Sequence, residues 1–193
     1  SEDLFPSVTP KALFTTHPLL GLDWILDMWI KKIHTKLPWA ELHIYSHTLH
    51  KALSGANVQD IYKEIVKKVE NSLSYNIKVN LPKMDKEMIE EIKDIRVHLY
   101  PSHKHEVSAF SLSETQALGM PAVVRPLGSA AEKIYNGKTG FIAENDKLFS
   151  EYTIKILSDL TYFKRVNQEC KDLKQARDWG KVAEEFLQVS KSG

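Results

Sequence analysis

Glu106 and Glu114 stand with seven residues between them in "PSHKHEVSAFSLSETQALGMPAVV" (Pro101–Val124). A histidine-rich turn precedes them and an apolar run follows. Carboxylates so placed can work as an acid/base pair, bind a metal, accept hydrogen bonds from ligand hydroxyls, or be plain surface charge. Ser111, with Glu114 three residues on, has the capping-box pattern of a helix over 111–118, and Gly119 is placed to close it. The backbone N–H groups near Phe110, Ser111 and Leu112 open that helix, and a helix N-terminus is a ready anion site. A ligand with a phosphate and several hydroxyls suits this corner: N–H groups and Ser111 for the phosphate, carboxylates for vicinal hydroxyls. The plainer alternative is that Glu114 only caps its helix and favours the dipole.

The elements that must position these residues alternate between two periods. Short apolar, strand-forming runs lie at Ala12–Thr16, Glu41–Ser46, Ile77–Leu81, Ile95–Tyr100 and Pro121–Arg125, with a sixth at "GFIA". Between them, Leu22, Ile25, Leu26, Trp29, Ile30 and Ile33 mark one face of a helix that ends before Pro38. Ile61, Ile65, Val69 and Leu73 mark a second helix, and Met84, Met88 and Ile92 a third. A polar stretch with Gly55 and Asn57 follows the second of the strand-forming runs. "GSAAEKIY" reads as a short helix, "NGKTG" as a turn, and two helices follow near 146–160 and 162–177. This repeated strand–helix alternation predicts an α/β, Rossmann-like, mostly parallel sheet of about six strands with helices on both faces. Ligands of such sheets bind beyond the carboxyl ends of the strands, so the loops after Thr16, Ser46, Leu81, Tyr100 and Arg125 are the ones that matter. Neither a G-x-G-x-x-G nor a Walker A motif appears.

Other patterns compete for attention. His43, His47, His50, His98, His103 and His105 invite a metal reading, but carboxylate and cysteine partners are not at familiar ligand spacings. A glycoside-hydrolase pair would place its carboxylates on separate walls of a sugar site, not on one loop. The Lys63/Lys67/Lys68 face reads as a solvated helix surface before it reads as a lipid-binding one. Trp24, Trp29, Trp39 and Trp179 sit on patterned or turn positions, where core packing is the default. A net charge of +1 argues against a nucleic-acid partner. Cys170 is the single cysteine, which rules out a disulfide within the chain.

The order of motifs resembles the C-terminal, donor-binding domain of GT-B glycosyltransferases of the retaining family four. The carriers are "YPS", "EVSAFSLSE", "ALGMPAVV", "PLGSAAE" and "NGKTGF", in sequence order over Ile95–Ala143. The likeness extends more loosely to the first strand, to "LPWAELHIYS" and to "DWGKVAEEF". It implies that Glu106 contacts the transferred sugar and Glu114 the ribose hydroxyls of a nucleotide-diphospho-sugar donor. Phe110, Ser111 and Leu112 match the segment whose backbone approaches the diphosphate. Glu132 matches a mostly structural glutamate, and the Leu81–Lys83 loop, with Pro82 and Lys83, falls where the family surrounds the base. No cofactor and no bound metal is implied.

The chain departs from the pattern at three places. Val107 and Ser108 follow Glu106 where the family has an aromatic residue and a glycine, and Gly128-Ser129 replaces a double glycine. In "THPLLGLD", Leu20 stands where the family places Arg or Lys against the diphosphate. His17, Lys104 and Arg125 are the candidates to supply that charge. The resemblance implies a partner domain that carries the acceptor site. Residues 1–10 are then a linker from it, 11–178 the nucleotide-sugar-binding domain, and 179–193 a helix crossing back toward it. It further implies sugar transfer to a hydroxyl in cell-surface polysaccharide or glycolipid synthesis, in the cytoplasm, with membrane contact only through the full-length protein. Leu20 sustains a second reading, a degenerate nucleotide-binding or regulatory domain without catalysis.

Overall fold

The computed structural model describes residues 8–175. The expectations for residues 1–7 and for the last helix, with Trp179, lie outside them. Six strands form one sheet in the order β3-β2-β1-β4-β5-β6. They are β1 Lys11–Phe14, β2 Glu41–Tyr45, β3 Ile77–Asn80, β4 Val97–Tyr100, β5 Ala122–Val124 and β6 Gly140–Ile142. Every neighbouring pair is parallel, with Leu13 beside both His43 and His98 in register. The order reverses between β1 and β4, which makes the gap beyond their carboxyl ends the expected ligand crevice of a doubly wound sheet.

The pleat sorts side chains between two unlike faces. Ala12, Phe14, Leu42, Ile44, Val97, Leu99, Val123 and Phe141 turn to one face and join the main core. Against it pack α1 (Leu22–Met28), α3 (Lys63–Glu70) and α6 (Asp146–Ser158). The other face is split into two small clusters, one around Leu13, Tyr45 and Ile92, the other around Tyr100, Leu112 and Val124. There α4 (Asp85–Ile92) and α5 (Phe110–Ala117) cover the sheet. Strands buried on both sides normally read as continuous apolar runs. His98 and Tyr100, buried on this second face, break that rule.

Three expectations are corrected. The polar stretch after β2, to which the sequence assigned no element, contains α2 (His47–Leu53), whose N-cap Ser46 accepts a hydrogen bond from the Leu49 N–H at 3.3 Å. Its sequence has one buried residue, Leu49, so no periodicity announces it. The helix from Leu22 passes into a π-helical turn over Trp29–Ile33, which buries Trp29 and lets its indole N–H donate to the Tyr75 carbonyl at 2.9 Å. Trp39, assigned to the core by default, is 59% exposed.

Gly21 joins the two halves of the sheet at the crevice. It caps α1 with φ at +90°, and a Cβ there would lie 2.6 Å from the Pro101 Cβ, in the loop after β4. Both the left-handed backbone and the contact exclude a side chain. Gly21→Ala is expected to lower unfolding stability by about 2–3 kcal/mol, read as a reduced urea midpoint with an unchanged m-value.

Candidate functional site

A cavity of about 440 Å³ opens where β1 and β4 diverge. Thr15 from the loop after β1, Tyr45 from the end of β2, and Pro82 and Lys83 from the loop after β3 form one side. Ser111, Glu114 and Thr115 of α5 form the other, and Met88 and Ile92 of α4 add an apolar wall. The fold therefore brings together Pro82, Lys83, Ser111 and Glu114, four of the residues singled out in the sequence. The volume lies within the range of small-molecule sites.

Helix α5 is set by the polar face of β4. It begins at Phe110 with Ala109 as N-cap and no side-chain cap, so Ser111 lies inside the first turn and the capping box does not form. Ser111 instead lines the cavity beside the Tyr100 phenol. One helical turn on, the Thr115 hydroxyl lies 2.9 Å from His98 Nδ1, while His98 Nε2 lies 3.1 Å from the Thr15 hydroxyl. Two residues of strand advance about 6.6 Å and four residues of helix about 6 Å, so Ser111 falls beside Tyr100 as Thr115 falls beside His98. Glu114, freed from capping, lines the cavity. Gly119, with φ at +84°, ends the helix as expected.

His98 is fully buried, and burial pushes its imidazole down to about 3, so the ring is neutral. Tyr100 meets it edge to face at 5.3 Å. Burial first, and then the neighbouring Glu106 carboxylate, raise the Tyr100 phenol above its ordinary value. Sequence reading treated His98 as a metal candidate and overlooked Thr15, Tyr45, Tyr100 and Thr115. The available signal was polar side chains at alternate positions of an otherwise apolar strand, "VHLY".

Glu106 lies beside the cavity and not in its wall. Tyr100 donates its hydroxyl proton to Glu106 Oε1, while Oε2 is buried with no hydrogen-bond partner. The glycine loop after β5 closes over this residue. Ser129 N–H donates to the Glu106 carbonyl at 3.0 Å, and a Cβ on Gly128 would lie 2.4 Å from the His103 carbonyl oxygen. Ser129 Oγ and Thr16 Oγ1 are likewise buried without partners. A buried carboxylate oxygen without a donor costs on the order of 1–3 kcal/mol or more, which a ligand hydroxyl would recover.

The remaining candidates fall elsewhere. Leu112 is buried in the core and contributes only backbone, and Phe110 is 75% exposed at the rim. His17 Nε2 lies 3.1 Å from the Tyr62 hydroxyl, and Arg125 stacks over the Trp24 ring at 4.8 Å. Lys104 is exposed on the turn before Glu106. None of these three lines the cavity, whose one cation among the described residues is Lys83. Lys83 is itself paired with Glu91, holding that carboxyl below its usual range. Leu20 is 38% exposed.

The histidines do not converge. His43 Nε2 pairs with Glu41 at 2.8 Å, and His47 opens α2, so the two do not share a strand face. Among the described residues no three His, Cys, Asp or Glu side chains are grouped to hold a metal ion. Cys170 is buried, donates to the Thr139 carbonyl at 3.3 Å, and has its thiol pushed up to about 12 by burial, which disqualifies it as a nucleophile. No helix among the described residues is long and apolar enough to cross a membrane.

The family model described as glycosyl transferases group 1 matches residues 53–178, more than half of the chain. Among curated proteins no sequence matches at a significant level. Solved structures share the fold. A TarM mutant from S. aureus, in complex with fondaparinux, α-GlcNAc-glycerol and UDP, superposes with a TM-score of 0.72 at 12% identity, over 96% of this chain and 36% of that one. HepE (Alr3699) of Anabaena, in complex with UDP-glucose, gives 0.69 at 15% identity, over 95% and 48%. The C-terminal domain of the group 1 glycosyl transferase LpcC from Francisella tularensis gives 0.65 at 16% identity, over 90% and 87%. The chain thus spans under half the length of TarM and HepE.

The His98 environment carries a pH signature. Its pKa is lower folded than unfolded, so the unfolded chain binds the extra proton and stability falls as pH drops below about 6.5. Between pH 6.5 and 5 the loss from this one residue is expected to be about 1.5 kcal/mol. Urea unfolding at the two pH values checks it: His98→Gln should lose that component, and an unchanged pH difference would contradict the assignment.

Proposed function

The chain belongs to the group 1 glycosyl transferases, and from that membership we propose that it is the donor-binding half of a retaining enzyme. It takes a nucleotide-diphospho-sugar and transfers the sugar to a hydroxyl acceptor. The observation that carries the reading is the cavity at the β1/β4 crevice, which sets Glu114 opposite Pro82 and Lys83. In this reading the base lies along Pro82 and the apolar wall of α4, and Glu114 accepts from the ribose hydroxyls. The N–H groups of Phe110, Ser111 and Leu112 receive the diphosphate, and Glu106 Oε2 accepts from a sugar hydroxyl. As the sugar–phosphate bond breaks, charge develops on the diphosphate. A helix N-terminus already aimed there stabilises it without reorganisation. No metal is required for that role.

A second domain supplies the acceptor site in this proposal, and these residues alone do not turn over. The rim supports it: Leu19, Leu20 and Val107 on the loops after β1 and β4, and Phe110 at the start of α5, are exposed apolar side chains around the crevice. The reaction then belongs to cell-surface polysaccharide or glycolipid synthesis in the cytoplasm, with nucleic acid excluded as partner. Leu20 favours one rival, a domain that binds nucleotide without catalysis. Assay of a longer parent chain with labelled sugar nucleotides separates the two.

Calorimetric titration with UDP and with GDP tests the site itself. One of them is expected to bind, and Glu114→Ala to weaken it about tenfold or more, the loss of a hydrogen bond to a charged group. Affinity indifferent to that substitution removes Glu114 from the site. Absence of binding by either nucleotide overturns the donor-site reading.

A further inference from the structure

His98 has a role that the family pattern does not assign. Its two ring nitrogens contact two hydroxyls that both line the cavity, Thr15 and Thr115. The acceptors around this chain of three groups set where its protons can lie. The Thr115 hydroxyl has one proton, and the Ser111 and Leu112 carbonyl oxygens of its own helix, each 3.1 Å away, are placed to take it. With that proton on a carbonyl, Thr115 Oγ1 accepts from His98, and Nδ1 carries the ring proton. The fully buried ring is neutral, which leaves Nε2 a bare acceptor. The Thr15 hydroxyl must then donate to Nε2, and its proton is spent inward. Only its lone pairs face the cavity.

We propose that His98 is a positioning residue that fixes the Thr15 hydroxyl as a pure hydrogen-bond acceptor toward the ligand. This deepens, and rests on, the donor-site reading given above. An acceptor-only hydroxyl takes a ligand O–H or N–H and turns away a phosphate oxygen. The Thr15 side of the cavity therefore holds the nucleoside part of the donor, while the diphosphate lies toward the start of α5. Residues 98 and 115 on their own explain only how α5 is held to the sheet. Thr15, on a different loop, converts that support into ligand selectivity.

Two amide substitutions separate the roles. The amide of His98→Asn branches from the same carbon as Nδ1 and keeps the Thr115 contact only. The amide of His98→Gln lies one bond further out and reaches Thr15. Titration of the full chain with UDP is expected to give His98→Gln within about twofold of the parent, and His98→Asn and Thr15→Val each about three- to tenfold weaker. The reverse order for the two amides, or an unchanged Thr15→Val, overturns the proposal. A readout without ligand or substitution stands beside it: long-range ¹H–¹⁵N correlation spectra of the unliganded chain should show the His98 proton on Nδ1. A proton on Nε2 overturns the proposal. Failure of the parent chain to bind UDP or GDP counts against the donor-site reading, while the imidazole spectrum still judges His98 by itself.

Discussion

Strand β4 buries two polar side chains on one face, and the crevice depends on how they are satisfied. Its other face, Val97 and Leu99, belongs to the main core and fixes the strand. His98 and Tyr100 then have no water to bond and need partners, because a buried polar group left unpaired costs about 1–3 kcal/mol. His98 finds Thr115 on α5, and Tyr100 finds Glu106 in the loop that leads to α5. Sliding or rotating α5 would break the His98–Thr115 contact. That requirement holds the first turn of α5 over the carboxyl ends of β1 and β4, places Glu114 in the cavity wall, and lets Tyr100 hold one oxygen of Glu106 while the other stays open.

The same arrangement explains an unusual electrostatic design. The family position for a basic residue carries Leu20, and His17, Lys104 and Arg125 stand outside the cavity wall. Arg125 is spent on Trp24, whose indole N–H in turn donates to Asp146 at 3.2 Å, tying β5 to α6. Under the proposed function, diphosphate recognition then falls to backbone N–H groups, whose direction is set by α5 and hence by β4. Leu19 and Leu20, together with Val107 and Phe110, instead give the rim an apolar character suited to packing against another domain.

Much of this was legible in the sequence. Short apolar runs of strand formers, set between helical periodicities, gave every strand to within two residues, and with them the parallel sheet and the importance of its carboxyl rim. Gly119 was readable from turn chemistry, whereas the Pro82–Lys83 loop and the ribose role of Glu114 entered only through the family resemblance. What stayed hidden depended on tertiary partners. Ser111 looked like a cap, but the helix starts one residue earlier, at Phe110, with Ala109 as its N-cap. Helix α2 carries one buried residue and relies on the Ser46 cap, so no periodicity marks it. His98 read as a stray ligand, since only the fold brings Thr15 and Thr115 to its two nitrogens.

Backbone amide chemical-shift mapping of the chain with UDP tests the central claim most directly. The account places the nucleotide at the β1/β4 crevice, with the largest perturbations at Thr15, Lys83, Ser111 and Glu114. Perturbations confined to another surface, such as the groove between Lys67, Asn71 and Tyr75, with these four unmoved, would contradict it.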